Sequence, residues 1–395
     1  MDQEDTTRRG APVDDAVVDG GTPWPTTGTA PGAEPDLPGK DGRPELLEAR
    51  DLITYFRTPA GVVRAVDGVS LTLRKGELLG VVGESGSGKT ILSRSMMNLL
   101  PKRNVVRSGQ VLLDGDDLLT YDERRMRTVW ARRMAAVFQD PMVSLNPLMK
   151  IGQQLAEAPR EHFSLSRQQL RDRSIELLRS VRIPEPERRL DQYPHQLSGG
   201  MRQRVTIAIA LSCDPDILFA DEPTTALDVT VQAQILDLLA THQRERNMAI
   251  LLVTHDLGIL AGRADEIVVM YAGQVVERAP TREIFKDTRM PYTGALLEST
   301  PQLDNESHAV LATIPGRPPN PLAFPPGCRF APRCSYAQDR CLTEMPPLVD
   351  TGTGHLYRCW YPLGTSAGDE ALEANLRRGQ SAAGIPVTLE GTGGD

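Results

Sequence analysis

No run of about 18 consecutive apolar residues occurs in the 395-residue chain, so the sequence offers no membrane-spanning helix. Excess positive charge is missing too. The 44 Lys and Arg stand against 52 Asp and Glu, a formal net charge of −8, which gives no electrostatic ground for binding nucleic acid. Basic pairs such as Arg124-Arg125 and Arg132-Arg133 read as solvated helix faces. The opening stretch MDQEDTTRRGAPVDD lacks the basic-then-apolar pattern of a secretory leader. The expectation is a cytoplasmic chain whose partners supply any membrane spans. Aromatics are scarce at 5%, while 34 glycines and 31 prolines gather at the ends and in the last third. The packed core is therefore expected to be shorter than the chain.

Residues 1–44 have no hydrophobic periodicity and read as a disordered tail. From 45 to 82, alternating apolar positions predict strands of a small sheet leading into a buried one. Residues 89–100 and stretches between 151 and 182 predict helices. Further on, SGGMRQRVTIAIALSC reads as a helix, DILFADEP as a buried strand, TVQAQILDLLATHQRE as a helix and AILLVTHD as another buried strand. Short buried strands alternating with helices predict an α/β chain with a parallel sheet covered on both faces. After about residue 280 the pattern dissolves into Pro, Gly and Cys, and residues 364–395 read as a second, weakly ordered tail.

One loop carries defined chemistry. Gly83-Glu-Ser85-Gly86-Ser87-Gly88-Lys89-Thr90 fits G-x-x-x-x-G-K-[ST], follows the apolar strand LLGVV and opens a helix. Its glycines let backbone N–H groups turn inward around phosphate oxygens, and the helix N-terminus adds its positive dipole end. Lys89 can reach the β- and γ-phosphates, and Thr90 can ligate Mg²⁺. A second apolar strand ends in Asp221-Glu222. Asp221 is placed to hold Mg²⁺, and Glu222 to orient or deprotonate an attacking water.

Between these two halves lies Leu197-Ser198-Gly199-Gly200-Met-Arg-Gln203, which resembles the signature of ABC ATPases. Other marks of that family follow the same resemblance. Gln139 in VFQDP matches the glutamine loop, Ala226-Leu227-Asp228 the loop after the Asp-Glu strand, and His255 in LLVTHD the switch histidine. Phe56, or its neighbour Tyr55, matches the aromatic that stacks on adenine. The resemblance spans residues 45–280 and implies a P-loop NTPase core with an antiparallel β subdomain and a helical subdomain over about 140–200. It also implies head-to-tail pairing with a second ABC ATPase subunit, identical or paralogous. The signature (Ser198, Gly199, Gly200) and Asp228 would then close over ATP held by the partner. Gln139 would contact Mg²⁺ and water beside Thr90 and Asp221, and His255 would hold the γ-phosphate.

The segments DPMVSLNPLMKIGQQLAE and DQYPHQLSGG resemble the oligopeptide/dipeptide/nickel importer branch, as does Ile314–Pro362 with IPGRPPNP, GCRFAPRCSYAQDRC and YRCWYP. Residues 281–363 are thus expected to be a small Cys-containing C-terminal extension. Of the five cysteines, Cys213 stands alone in an apolar stretch, whereas Cys328, Cys334, Cys341 and Cys359 follow a C-x5-C-x6-C-x17-C spacing. This is neither a zinc-finger pattern nor a standard ferredoxin run. Four thiolates can cap a [4Fe–4S] cluster, which some members of the branch carry, or fill a Zn²⁺ site; unmetallated thiols or disulfides are the remaining alternative.

The resemblance implies the ATP-hydrolysing motor of a peptide importer on the cytoplasmic face of the membrane. Its partners would be two permease subunits fed by an extracytoplasmic solute-binding protein, with no nucleic acid. The rival readings are a non-transport ABC ATPase acting on nucleic acid or ribosomes, an importer motor for nickel or another solute, and a regulatory subunit that binds ATP without hydrolysing it.

Overall fold

The structure is a computed structural model that describes residues 42–225, 227–299 and 313–388. The N-terminal tail expected over 1–44 lies outside the described residues except for Gly42–Pro44. Among the described residues, twelve strands run β1 (Glu45–Thr58), β2 (Gly61–Arg74), β3 (Leu78–Val82), β4 (Val105–Leu113), β5 (Asp116–Asp117), β6 (Met134–Val137), β7 (Ile217–Asp221), β8 (Ala249–Thr254), β9 (Glu266–Tyr271), β10 (Gln274–Pro280), β11 (Val349–Asp350) and β12 (Leu356–Tyr357). They form a four-stranded antiparallel sheet in the order β2-β1-β4-β5 and an eight-stranded sheet in the order β11-β12-β10-β9-β3-β8-β7-β6. The centre of the larger sheet, from β9 to β6, is parallel.

Those central strands are apolar except at their ends, where Asp221, Thr254 and Glu266 sit, because both of their faces are covered. In β3, Leu78 and Val82 enter one core while Leu79 and Val81 enter the other. The same alternation splits β7, where Leu218 and Ala220 face one core and Ile217 and Phe219 the opposite one. Each of these side chains is at most 3% exposed. Burial of each large aliphatic residue contributes about 1.5–3 kcal/mol. One core lies between the two sheets and takes in the helix Lys89–Met96; the other lies under the helical subdomain and the C-terminal extension.

The helical subdomain comprises the helices Pro141–Ser144, Ile151–His162, Arg167–Ser180 and Pro186–Arg189, followed by Gly199–Ala210. Ser166 caps the third of these, accepting from Gln169 N while the Gln169 side chain accepts from Ser166 N.

Beyond residue 280 the chain is more ordered than its composition predicts. Helices Thr281–Lys286 and Pro291–Glu298 follow β10, and β12 pairs antiparallel with β10 through Glu277 and Tyr357. The extension thus becomes an edge of the main sheet. Buried His355 hydrogen-bonds buried Glu277 at 2.8 Å across that edge.

The expected weakly ordered tail at 364–395 is corrected over Ser366–Arg378, which form a helix capped by the Thr365 hydroxyl. Asn375 is fully buried and donates to Ser335 O at 2.7 Å and Ala337 O at 3.1 Å, while Gln338 donates to Ala371 O at 3.0 Å. An amide network anchors this helix where no broad apolar stripe does, so hydrophobic periodicity did not reveal it.

Candidate nucleotide site

The loop after β3 owes its shape to two glycines. Gly83 has φ 155°, and a Cβ there would meet Met270 O at 2.2 Å; Gly88 has φ 104°, and its Cβ would meet Ala65 O at 2.2 Å. No other residue fits either position without moving the backbone. The helix Lys89–Met96 starts directly behind the loop.

Lys89 is 5% exposed, and its Nζ donates to Gly83 O at 2.7 Å and Glu84 O at 3.0 Å. Burial lowers its pKa from the ordinary value, against the opposing pull of Glu222, Asp221 and Glu84. The buried Ser87 hydroxyl has no hydrogen-bond partner. A phosphate would satisfy that orphan, fill the glycine-lined cradle and stabilise the Lys89 charge, so the loop fits a nucleotide triphosphate.

Thr90 Oγ1 donates to Asp221 Oδ1 at 3.1 Å at the end of β7. Burial raises the Asp221 carboxyl, with the Thr90 hydrogen bond opposing. A buried carboxylate beside a hydroxyl is a hard oxygen pair suited to Mg²⁺.

The next residue, Glu222, sits at φ 46°, a left-handed conformation that costs a non-glycine residue energy. Its Oε2 accepts from Gln139 Nε2 at 2.7 Å and from Thr225 Oγ1 at 2.9 Å, and its Oε1 lies 3.2 Å from His255 Nδ1. Burial pushes the Glu222 carboxyl up, but hydrogen bonds from Thr225 and His255 and the charge of Lys89 outweigh it, so the pKa falls below the ordinary value. Glu222 is therefore ionised at neutral pH, as a base toward water must be.

The pocket itself is lined by Glu84, Ser85, Gly86, Ser87, Gly88, Lys89, Thr90, Gln139 and Glu222 at one end. Ser198, Gly199, Gly200 and Asp228 are not among its walls. Ser198 instead starts the helix Gly199–Ala210, accepting from Met201 N at 3.3 Å, and Asp228 starts the helix Val229–Arg246, accepting from Val231 N at 2.9 Å. Gly200 lies against this second helix, where a Cβ would come within 3.1 Å of Val231. Ala226, part of the same expected loop as Asp228, lies outside the described residues.

Phe56 and Tyr55 do not line the pocket either. The Tyr55 hydroxyl donates to Asp67, and Phe56 pairs with Val63 in the antiparallel sheet. The walls that motif reading missed are Val63, Arg64 and Ala65 of β2, Tyr271 and Ala272, and Pro318, Pro319, Pro321 and Phe324 of the extension. No spacing rule points to residues more than 220 positions beyond the phosphate loop; only the folded contact does.

Two further features flank this site. A groove beside Gln139 is lined by Arg94, Leu99, Phe138, Val143, Thr206 and Ile209, with Val143 83% exposed. In the extension, Cys328, Cys334, Cys341 and Cys359 all wall one small cavity with Phe330, Ala337 and Trp360, while Cys213 is buried elsewhere, in the turn after the helix Gly199–Ala210. Burial raises the Cys328 thiol to about 11, and burial with repulsion from the other three raises Cys334 well above its ordinary value. Backbone N–H groups of Phe330 and Ala331 oppose this at Cys328, and the Tyr361 N–H donates to Cys359 Sγ at 3.3 Å. Among the described residues, no three or more His, Cys, Asp or Glu side chains are grouped as ligands of a single metal ion.

Fold and site together define a P-loop nucleotide-binding cassette. The ABC transporter family profile matches residues 66–225, and the profile of the oligopeptide/dipeptide transporter C-terminal region matches 276–341. The oligopeptide transport ATP-binding protein OppD of Bacillus subtilis (strain 168) is 46% identical over 337 residues, 84% of this chain and 94% of that protein. Its namesake from Salmonella typhimurium is 47% identical over 318 residues, covering 80% and 94%. Among solved structures, the dimeric bacterial ABC transporter cassette MJ0796 superposes with a TM-score of 0.54 at 28% identity, over 60% of this chain and 99% of that one; the same cassette is known in a dimeric post-hydrolysis state with ADP and Pi. The chain belongs to the ATP-binding proteins of ABC transporters, in the branch that carries the oligopeptide/dipeptide C-terminal region.

Proposed function

We propose that this chain is the ATP-hydrolysing motor of an ABC importer for oligopeptides or dipeptides. The observation that carries this reading is the cluster of Glu222, Gln139, His255 and Thr225 beside the phosphate loop, in a chain whose relatives are named for oligopeptide transport. A regulatory subunit that only binds ATP would not need an ionised carboxylate held by three donors.

Bound at the loop, Mg²⁺–ATP supplies the electrophilic γ-phosphoryl group and the cation that neutralises its oxygens. Lys89, Ser87 and the loop N–H groups bind the β- and γ-phosphates. Thr90 and Asp221 would hold the metal, with Gln139 as a further oxygen ligand. Glu222 Oε1 or Oε2 accepts the proton of the attacking water, while Gln139 orders that water and His255 steadies charge developing on the γ-phosphate.

The helix starts at Ser198 and Asp228 stand outside the chain's own pocket, and Val229 beside Asp228 is 81% exposed. This supports head-to-tail pairing with a second ATPase subunit, so that the Ser198–Gly200 helix start closes on the partner's nucleotide. The groove holding Phe138 and Val143 suits an apolar helix end of a permease, and Gln139 on its edge joins it to Glu222. No described helix is long and apolar enough to cross a membrane, which is consistent with two permease subunits providing the channel and holding this chain at the cytoplasmic face. A solute-binding protein would deliver the peptide from the other side.

The four cysteines of the extension are read as ligands of a [4Fe–4S] cluster, with Zn²⁺ as the alternative. What supports this is that all four wall one small cavity and that the Tyr361 N–H donates to Cys359 Sγ at 3.3 Å. Such a cluster would tie Cys328, Cys334, Cys341 and Cys359 together and stabilise the extension.

Reconstitution of the chain with its permeases in vesicles tests the whole reading. ATP-dependent uptake of short peptides, abolished by Glu222→Gln, is the expected result. Co-purification with nucleic acid or ribosomes, without membrane proteins, would turn the assignment to a non-transport ATPase.

A further inference from the structure

The nucleotide pocket has a wall that the cassette core does not make. Pro318, Pro319, Pro321 and Phe324, all from the extension, line the pocket together with the phosphate loop residues. Three clamps fix this segment. Arg64 N donates to Pro321 O at 3.4 Å. Arg329, whose side chain is 6% exposed, pairs with Asp67 of β2 and donates to Ala272 O at 2.5 Å. Arg333, 3% exposed, bridges Glu84 of the phosphate loop at 2.5 and 2.9 Å. The Arg329 guanidinium also lies over the Phe324 ring, 4.1 Å from its centroid. One buried arginine thus ties Phe324 to β2 and orients its ring.

The phosphates claim the Gly83–Thr90 end of the pocket. Apart from Gln139 and Glu222, the walls that remain for the ribose and base include Val63–Ala65, Tyr271, Ala272 and the extension residues from Pro318 to Phe324. Two aromatic rings line the pocket. Tyr271 is 1% exposed and already packed on Tyr292 and Phe330, with centroids at 4.5 and 5.3 Å, so it has no free face. Phe324 is only half-buried. Tyr55 is held by Asp67, which is itself paired with Arg329.

We propose that Phe324 stacks on the purine base of the bound nucleotide, so that the C-terminal extension completes the nucleotide site of its own cassette. This rests on the pocket binding ATP. It assigns to the extension a part in nucleotide recognition, and it makes Arg329 a positioning residue that holds the stacking ring.

The test is calorimetric titration of the full chain with Mg²⁺–ATP and, separately, with inorganic tripolyphosphate, which has no base. Phe324→Ala should weaken ATP binding by about tenfold or more, the loss of one aromatic–base stack, and leave tripolyphosphate binding unchanged. Phe324→Trp should retain ATP affinity. If Phe324→Ala does not fold, Phe324→Leu keeps the apolar bulk without the aromatic face and carries the same expectation. Unchanged ATP affinity, equal losses for ATP and tripolyphosphate, or a base-specific loss in Phe56→Ala instead would overturn the proposal. Wild-type protein that binds neither ligand would overturn the nucleotide reading beneath it.

Discussion

Gln139 Nε2 donates to Glu222 Oε2 at 2.7 Å, and this single bond joins the loop after β6 to the end of β7. Gln139 also edges the exposed groove that holds Phe138 and Val143. One side chain therefore touches both the carboxylate proposed as the base and the groove proposed to receive a permease. A partner that moves the groove necessarily moves a donor of Glu222, which gives coupling between the two sites a physical carrier.

Replacing Glu222 by Gln preserves its size and removes its charge. ATP turnover in the assembled complex should fall by about 10²–10⁴-fold, the usual contribution of a general base, while ATP binding persists because Lys89 and the glycine cradle are untouched. A steady-state phosphate-release assay beside a binding titration separates the two effects. Turnover near the unmodified rate would remove Glu222 from catalysis.

Glu77 predicts a pH dependence of stability. Burial, reinforced by repulsion from Glu266 and opposed by Arg74 and Arg278, raises its folded pKa from 4.5 to about 7. The folded chain therefore keeps a proton that the unfolded chain has lost. This stabilisation is full below about pH 4.5 and disappears as pH rises through 7, a swing of up to about 3 kcal/mol. Thermal melts of the Glu77→Gln variant should show a shallower decline between pH 5 and 8 (the range of about three units that spans the titration) than the unmodified chain. Parallel curves would mean that Glu77 does not titrate in this window.

The bridge between Arg333 and Glu84 ties the extension to the phosphate loop, with side-chain exposures of 3% and 25%. Breaking a buried pair from one side costs about 3–5 kcal/mol, and partial solvation of Glu84 lowers that to about 2 kcal/mol. Arg333→Met should destabilise the protein by that amount and weaken ATP binding as Glu84 loses its anchor. A double-mutant cycle with Glu84→Gln checks it by urea unfolding. Additivity within about 0.5 kcal/mol would show that the two residues are uncoupled.

The cassette was legible in the sequence because its chemistry is local. Glycines at 83 and 88, Lys89 and the apolar run before Asp221 sit at fixed offsets, and each has one backbone geometry to satisfy. Signals failed where contacts span long separations. Phe324 reaches the nucleotide pocket with Arg329 holding its ring against Asp67 and Ala272 while Arg333 ties the same extension to Glu84, and the Ser366–Arg378 helix is held by Asn375 and Gln338 through amide bonds that leave no periodic trace. Adenine stacking by Phe56 or Tyr55 is what the family resemblance implies; in this structure Phe56 pairs with Val63, the Tyr55 hydroxyl donates to Asp67, and neither ring lies in the pocket wall.

The cysteine cavity yields the last prediction. Burial raises all four thiols, reinforced at Cys328, Cys334 and Cys359 by repulsion from neighbouring cysteines, so in isolation they would stay protonated at neutral pH, whereas an iron–sulfur core would draw them into thiolates. Anaerobically purified protein should contain iron and acid-labile sulfide at about four of each per chain, the content of one cubane. Cys334→Ser should lose both and lower the melting temperature, because the extension then loses its cross-link and keeps only its arginine clamps, the β10–β12 pairing and its apolar contacts. Cys213→Ser, changed outside the cavity, should keep the full content. Zinc in place of iron would retain the cross-link without its redox chemistry. If neither metal appears and Cys334→Ser melts like the unmodified chain, the cavity is an ordinary apolar packing site, and the extension is held by Arg329, Arg333 and the β10–β12 edge.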